Sequence, residues 1–220
     1  SLISFSGSPQ NELPSITREF YDSYNTFDLI TVETKEFSPI IPFHPSSKYQ
    51  KSGKAFSMIS TEFSTNGYEL SFVYREDTML YDVDLLDPKL EIAATSIPFD
   101  HFLVKPGFEF GEKEDLLKPQ SLWGIIISLQ KVGNLDLITY TSGVELENLP
   151  ARELPRSDFY ASLAKLNPIK WIVRNSDNRF SEAKQFPKKF NPGLVDQKNR
   201  IWALQNHSIL DHEPDHQIFY

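Results

Sequence analysis

The alternation of apolar and polar residues along the chain favours β-strands. Short apolar runs recur between turn signals, which is typical of half-buried strands. The pairs Asn66-Gly67 and Gly133-Asn134 each separate two such runs and predict tight β-hairpins, the first through a type I′ turn. The expected strands are residues 27–32, 56–63, 69–74, 79–85, 123–130, 135–141, 169–173 and 201–204.

Two stretches have the pattern of a helix. The 15 proline residues leave few windows in which a long helix could form. Residues 15–24 and 157–166 each start at a serine that can cap a helix, Ser15 and Ser157, and then place apolar residues three or four apart. The segments expected to be long loops are 100–120 and 175–199.

The composition fits the same fold class. Seventeen Phe, nine Tyr and three Trp predict a core of large rigid rings, which pack better on a pleated sheet than on a helix. The chain has no Cys, so disulfides and thiolate metal sites are excluded. We expect a mostly β fold of antiparallel hairpins with two short helices. Residues 1–150 would form a β-rich core, and residues 151–220 a helix, a basic loop and a C-terminal strand or tail packed on the same domain.

Residues 58–88 resemble one blade of a WD40-type β-propeller. Phe63-Ser64-Thr65-Asn66-Gly67 matches the family's Phe-Ser-x-x-Gly turn, and Tyr81-Asp82 stands where the family has an aromatic-Asp pair. Residues 122–143 resemble the two central strands of a second blade, although the turn Asp and the Trp-Asp dipeptide are missing. The resemblance implies a partial or degenerate propeller, since blades of about 40–45 residues allow four or five in a chain of this length. A β-sandwich or barrel made from the same hairpins is the alternative.

Charge is distributed unevenly along the chain. The net charge is −8, yet residues 165–200 contain nine basic and three acidic residues, a local charge of +6. Cations interleaved with aromatic rings are what a nucleic-acid groove requires, whereas the same pattern also suits a loop pinned to the core or an acidic protein partner. The candidate binding residues are Lys184, Phe186, Lys188, Lys189, Phe190, Lys198 and Arg200.

Two groups of side chains have the residue types of a chemical site. Residues 207–216 are rich in His, Asp and Glu, but Pro214 would break a helix between His212 and His216, so we interpret them as a solvated polar tail. Asp82 and Asp84 would share one face of a strand. They are interpreted as part of a solvent face, with a carboxylate-dependent hydrolase as the alternative.

These patterns favour a non-enzymatic protein-interaction or scaffold module of a larger complex, without a metal or cofactor. The alternatives are a nucleic-acid-associated subunit that uses residues 165–200 and the hydrolase. The N-terminal residues lack the features of a signal peptide, and the longest apolar run, 122–129, is too short to span a bilayer. We therefore expect an intracellular protein, cytoplasmic or nuclear, with no membrane partner.

Overall fold

The computed structural model describes residues 2–5, 16–114, 120–185, 190–196, 198 and 200–205. Its strands are β1 (Leu2–Phe5), β2 (Asn25–Thr31), β3 (Glu36–Pro42), β4 (Thr61–Asn66), β5 (Glu69–Tyr74), β6 (Met79–Asp84), β7 (Ile92–Ser96), β8 (Ile125–Val132), β9 (Leu135–Thr141), β10 (Lys170–Arg174), β11 (Lys184–Gln185), β12 (Phe190–Val195) and β13 (Ile201–Gln205). Its α-helices are α1 (Arg18–Ser23), α2 (Lys48–Lys51) and α3 (Arg156–Leu166). The mostly β prediction is therefore confirmed.

All strand pairs are antiparallel and follow chain order. Sheet I contains β1–β3, sheet II contains β4–β7, sheet III contains β8–β11, and β12 pairs with β13 alone. None of these described strands closes a barrel. Because β9 pairs with β10, the sequence boundary between residues 150 and 151 falls inside sheet III.

The two expected hairpins form, with a different turn from the one predicted. The two-residue loops are Gly67-Tyr68 and Gly133-Asn134, and in each of them only the glycine has a positive φ, 63° and 61°. A positive φ at the first position alone is the requirement of a type II′ turn, so the type I′ prediction for Asn66-Gly67 is wrong. Both turn types match the right-handed twist of the flanking strands, which preserves the hairpin.

The described residues contain three α-helices rather than the two expected, and a short 3-10 helix at Leu146–Asn148. Helix α1 is capped by Thr17, whose hydroxyl accepts from the Phe20 N–H at 3.4 Å, and not by Ser15. Helix α3 starts at Arg156, which places Ser157 inside its first turn, while α2 is an additional single turn capped by Ser47. Within the expected loop 175–199, the structure contains β11 and β12.

Sheet II is covered on both faces. On one face, Phe72 lies 5.3 Å from Phe27 of sheet I between ring centroids, within a core of aromatic side chains that also includes α1 and α2. On the other face, Val73 and Leu80 join Ile126 and Ile138 of sheet III in a mainly aliphatic core. Sheets I, II and III therefore stack face to face in chain order.

The first strands of sheets II and III lie side by side. At the start of β8, the Ile126 N–H donates to the Arg75 carbonyl at 2.7 Å, and Arg75 Nε donates to the Ile126 carbonyl at 3.1 Å. β8 therefore begins at the end of the stack where β5 ends. The antiparallel order then places segments 43–60, 97–114, 120–124 and 142–169 at this same end, which we call the loop end.

Candidate functional site

The candidate binding residues that the structure describes lie in different elements. Lys184 lies in β11 opposite Trp171, with Nζ 5.7 Å from the indole centroid. Lys198 and Arg200 lie in the turn between β12 and β13. Phe190 belongs to β12, where its backbone pairs with Gln205. The candidates that lie outside the described residues are Phe186, Lys188 and Lys189.

Asp196 organises the turn between β12 and β13. Its carboxylate accepts from the Lys198 N–H at 2.8 Å, from Arg200 Nε at 2.7 Å and from Trp202 Nε1 at 2.9 Å. The hydrogen bond from Arg200 is the main reason why the pKa of Asp196 lies well below its usual range. The Arg200 guanidinium also lies 5.2 Å from the Trp202 ring centroid. The turn thus combines a cation with an aromatic ring, but it also neutralises part of the positive charge.

Two further basic residues of the segment are paired with acids. Lys170 Nζ donates to Asp100 at 2.7 Å, and Asp100 also accepts from the Tyr140 hydroxyl at 2.9 Å. Arg174 is buried between sheets II and III. The charge of +6 counted in the sequence therefore overstates the positive charge that faces solvent.

Arg174 is the centre of a buried ion cluster. Its guanidinium donates two hydrogen bonds to Asp82 of β6, the longer at 2.7 Å, and two to Asp136 of β9, at 2.9 and 2.6 Å. Asp136 also pairs with Lys131 at 2.8 Å. Since Asp82 belongs to sheet II and the other residues to sheet III, the cluster joins two sheets by charge-assisted bonds.

The paired carboxylates noted in the sequence have different environments. Burial alone would raise the pKa of Asp82, but hydrogen bonds from Arg174 and Ser71 outweigh it and hold the pKa below its ordinary value. Asp84 accepts from the Leu86 N–H at 2.9 Å at an exposed turn. A general acid needs a raised pKa, so Asp82 is poorly suited to that role.

A second polar cluster lies against the aromatic core, and no sequence pattern indicated it. Lys48 is buried, pairs with Glu76 at 3.0 Å, and has its ammonium 4.6 Å from the Phe56 ring centroid. Burial lowers the pKa of Lys48, although the neighbouring carboxylates of Glu76 and Asp77 oppose the change. The cluster fixes α2 to the turn between β5 and β6.

Asp77 completes this second cluster. Its carboxylate accepts from the backbone N–H of Lys48 at 3.1 Å, from that of Thr78 at 2.7 Å and from the Tyr81 hydroxyl at 3.0 Å. Burial raises the pKa of Asp77 despite these bonds. Perturbed pKa values also occur in structural networks, and here the bond from Lys48 ties α2 to the turn and the bond from Tyr81 ties the turn to sheet II.

Helix α3 belongs to the loop-end segment 142–169 and is largely exposed. None of its residues is buried, although it contains Phe159, Leu163 and Leu166. Tyr160 and Leu166 are 54% and 50% exposed, and Leu154 just before the helix is also exposed. An eleven-residue helix with no buried face gains little from packing on its own fold.

Metal and membrane features add little to this picture. Within the described ranges, no group of three His, Asp or Glu side chains is placed to hold a metal ion, and residues 207–216 lie outside those ranges. No helix in the described part of the chain has the length and apolar character needed to cross a membrane.

No family model and no curated protein matches the chain. Among solved structures, it is similar to a crystal structure of a member of the DUF4221 family from Bacteroides vulgatus, with a TM-score of 0.57 and 12% sequence identity. The similarity covers 92% of this chain and 55% of that one, so this chain spans about half the length of the protein it matches. At this identity the comparison shows a shared fold and nothing more.

Proposed function

We propose that the chain is a non-enzymatic protein-interaction module built on part of a β-propeller. Propeller blades are four-stranded sheets arranged radially around a central channel. Sheets II and III are consecutive four-stranded sheets of simple up-and-down order, and their first strands lie side by side. This arrangement supports the resemblance of residues 58–88 and 122–143 to propeller blades.

The observation that supports the interaction role is the exposure of α3. Binding sites are concentrated on loops that a rigid scaffold positions. Helix α3 belongs to the segment at the loop end that connects β9 to β10. Tyr160 offers an aromatic anchor, the kind of residue that concentrates binding energy at interfaces, and Leu166 adds a second exposed apolar side chain. We call Leu154, Tyr160 and Leu166 the α3 surface.

The buried charges give less support to the hydrolase alternative. Asp82 is hydrogen-bonded to Arg174, and Asp77 is hydrogen-bonded to α2 and to Tyr81. Both carboxylates therefore have local structural partners. An intracellular location, cytoplasmic or nuclear, stays a prediction from the sequence.

A second candidate function is nucleic-acid binding. Lys184 lies over Trp171, and Arg200 lies over Trp202. A cation beside an aromatic ring is the combination that single-stranded nucleic acid uses for phosphate contact and base stacking. These pairs support the alternative, whereas the ion pair between Arg200 and Asp196 weakens it.

The deciding experiment is affinity capture by the full chain from lysate of the cells that make it, with and without nuclease. We expect wild type to capture protein partners that survive nuclease treatment. A Tyr160→Ser/Leu166→Ser variant should capture at least about tenfold less of these partners. A Met58→Ser/Leu86→Ser variant is the matched control, because it removes two exposed apolar residues outside the α3 surface.

Each other outcome contradicts the proposal. Partners lost on nuclease treatment would favour the nucleic-acid alternative. An equal loss of partners in both variants, or no captured partner with wild type, would remove the α3 surface as the binding site. Circular dichroism checks that both variants are folded.

A further inference from the structure

Residues 104–111 lead from sheet III to the aromatic core at the loop end, and we call them the belt. Just before the belt, the Leu103 N–H donates to the carbonyl of Ser142, which directly follows β9, at 2.8 Å. At its other end, the Gly111 N–H donates to the carbonyl of Ile16, two residues before α1, at 2.8 Å. The belt therefore passes over the elements that cover the aromatic core.

Two phenylalanine anchors hold the belt against α1 and residues 54–57, which together we call the belt site. Phe108 and Phe110 both pack against the aromatic core, and the Phe110 ring centroid lies 5.6 Å from that of Tyr21 in α1. The backbone of Phe108 pairs with Ala55 in both directions, with N–H to oxygen bonds of 2.9 and 2.8 Å. Backbone pairing together with side-chain anchors is a common way for a domain to bind a peptide.

The residues beside the two anchors also fit the belt site. Glu109, between the two rings, forms an ion pair with Lys54. A Cβ on Gly107 would lie 2.7 Å from the Ala55 carbonyl oxygen, so the belt backbone approaches the site more closely than a larger residue allows. Residues 107–110, Gly-Phe-Glu-Phe, therefore have the character of a binding motif.

The belt is attached to its site by few backbone hydrogen bonds. Those that join it to other described segments are the pair between Phe108 and Ala55 and the bond from Gly111, whereas β5 is paired along both sides with β4 and β6. Both anchor rings are only half-buried. Local opening costs less free energy for such a segment than for a central strand, so the belt can leave its site while the sheets stay intact.

We propose that the belt is an internal ligand, and that the belt site docks a partner peptide with the same pattern of glycine, phenylalanine, acidic residue and phenylalanine. The acidic position follows from Lys54, which faces Glu109. Because the closed belt competes, the apparent affinity of a partner peptide is its intrinsic affinity multiplied by the open fraction of the belt. This inference goes beyond the proposed function and uses residues other than those of the α3 surface.

The first test is fluorescence polarisation of a labelled synthetic peptide with the sequence of residues 104–111, titrated with the full chain. We expect a Phe108→Ser/Phe110→Ser variant to bind it at least about tenfold more tightly than wild type, because the internal competitor has lost its anchors. Phe102→Ser is the matched control, since Phe102 precedes the belt and packs in the other core. Circular dichroism checks that both variants are folded. No binding to the double variant, or an equal gain in the control, would overturn the proposal.

The second test places the substitution Gly107→Val in either binding partner. In the chain, the added side chain should push the belt off its site while both anchor rings remain, so the chain should bind the unchanged peptide more tightly than wild type does. In the peptide, the same substitution should weaken binding to the Phe108→Ser/Phe110→Ser variant at least about tenfold, because the site has no room for it. A substituted peptide that binds as well as the unchanged one, or a Gly107→Val chain with wild-type affinity, would overturn the proposal.

Discussion

The carboxylate of Asp82 stabilises the fold in its ionised form. Hydrogen bonds from Arg174 and Ser71 outweigh burial and hold its pKa below the value expected in the unfolded chain. A depressed folded pKa contributes stability above the unfolded pKa, about 3.9, and this contribution is lost as the pH falls through the folded pKa. Acid should therefore weaken the link between sheets II and III.

We predict that Asp82→Asn lowers the free energy of unfolding at neutral pH by about 1–3 kcal/mol. When the pH is lowered from about 5 to about 3, the free energy of unfolding should then fall less in this variant than in wild type. Urea unfolding at several pH values measures both effects. Asp84→Asn is the matched control, because Asp84 caps an exposed turn two residues along. The same pH dependence in both variants would contradict this role of Asp82.

The partners and the burial of single charged residues were the hardest features to predict from the sequence. Asp82 stood out as a charged strand residue, but Arg174, its partner, lies 92 positions away, and nothing local connects the two. Lys48 had no distinguishing pattern at all, because its burial depends on the Phe56 ring and on Glu76 of a later turn. Long-range pairing of this kind is a property of tertiary structure.

At the level of elements, two glycines differ in what an added side chain would meet: backbone strain alone at one position, and strain together with steric crowding at the other. Gly67 has φ 63° and open space where a Cβ would stand. Gly143 has φ 90°, and a Cβ there would lie 2.6 Å from the Leu122 carbonyl oxygen and 2.7 Å from the Gly124 nitrogen. An alanine at Gly67 meets only strain, whereas one at Gly143 also forces two backbone segments apart.

We predict that Gly67→Ala costs about 1–2 kcal/mol of stability, and that Gly143→Ala costs at least about 1 kcal/mol more. Chemical denaturation of the two variants beside wild type measures the difference. Equal costs would mean that the segment around Leu122 moves away freely and does not constrain the exit from β9.

The elements with alternating patterns were predicted well, and the others were missed for identifiable reasons. β5 and β9 have the expected bounds. β3 was missed because it contains Pro39 and Pro42, which an edge strand tolerates, and β12 because it contains Pro192 and Gly193. β7 has small residues and no aromatic side chain, so its sequence lacks a strand signal. The strand expected at 56–63 begins later, at Thr61.

At the level of the whole molecule, Arg174 links two successive sheets. We predict that Arg174→Leu lowers the free energy of unfolding by about 3–5 kcal/mol, because it leaves Asp82 without its cation and Asp136 with Lys131 alone. Arg179→Leu is the control, since Arg179 is exposed on the turn that follows β10. Calorimetry measures both variants. A loss for Arg174→Leu no greater than for the control would show that the cluster does not hold the sheets together.

The candidate surfaces follow from how the sheets stack, which the sequence indicated only in part. The basic segment was visible as composition, yet the fold divides it among β10, β11 and the β12–β13 turn and pairs several of its charges with acids. The position of α3 was predicted from its apolar spacing, but its exposure was not. Periodicity shows which residues share a helix face, whereas only tertiary packing determines whether that face is covered.

The unequal chemistry of the two cores gives the molecule two optical reporters. The core between sheets I and II is rich in tyrosine, with Tyr21, Tyr24, Tyr49, Tyr74 and Tyr81 buried there. All three tryptophans, Trp123, Trp171 and Trp202, lie in sheet III, just before it or in β13. Tryptophan emission therefore reports on the C-terminal half of the stack, while five of the six buried tyrosines of the described residues report on the N-terminal half, with Tyr140 in the other core. Tryptophan emission thus follows the C-terminal half without an added label.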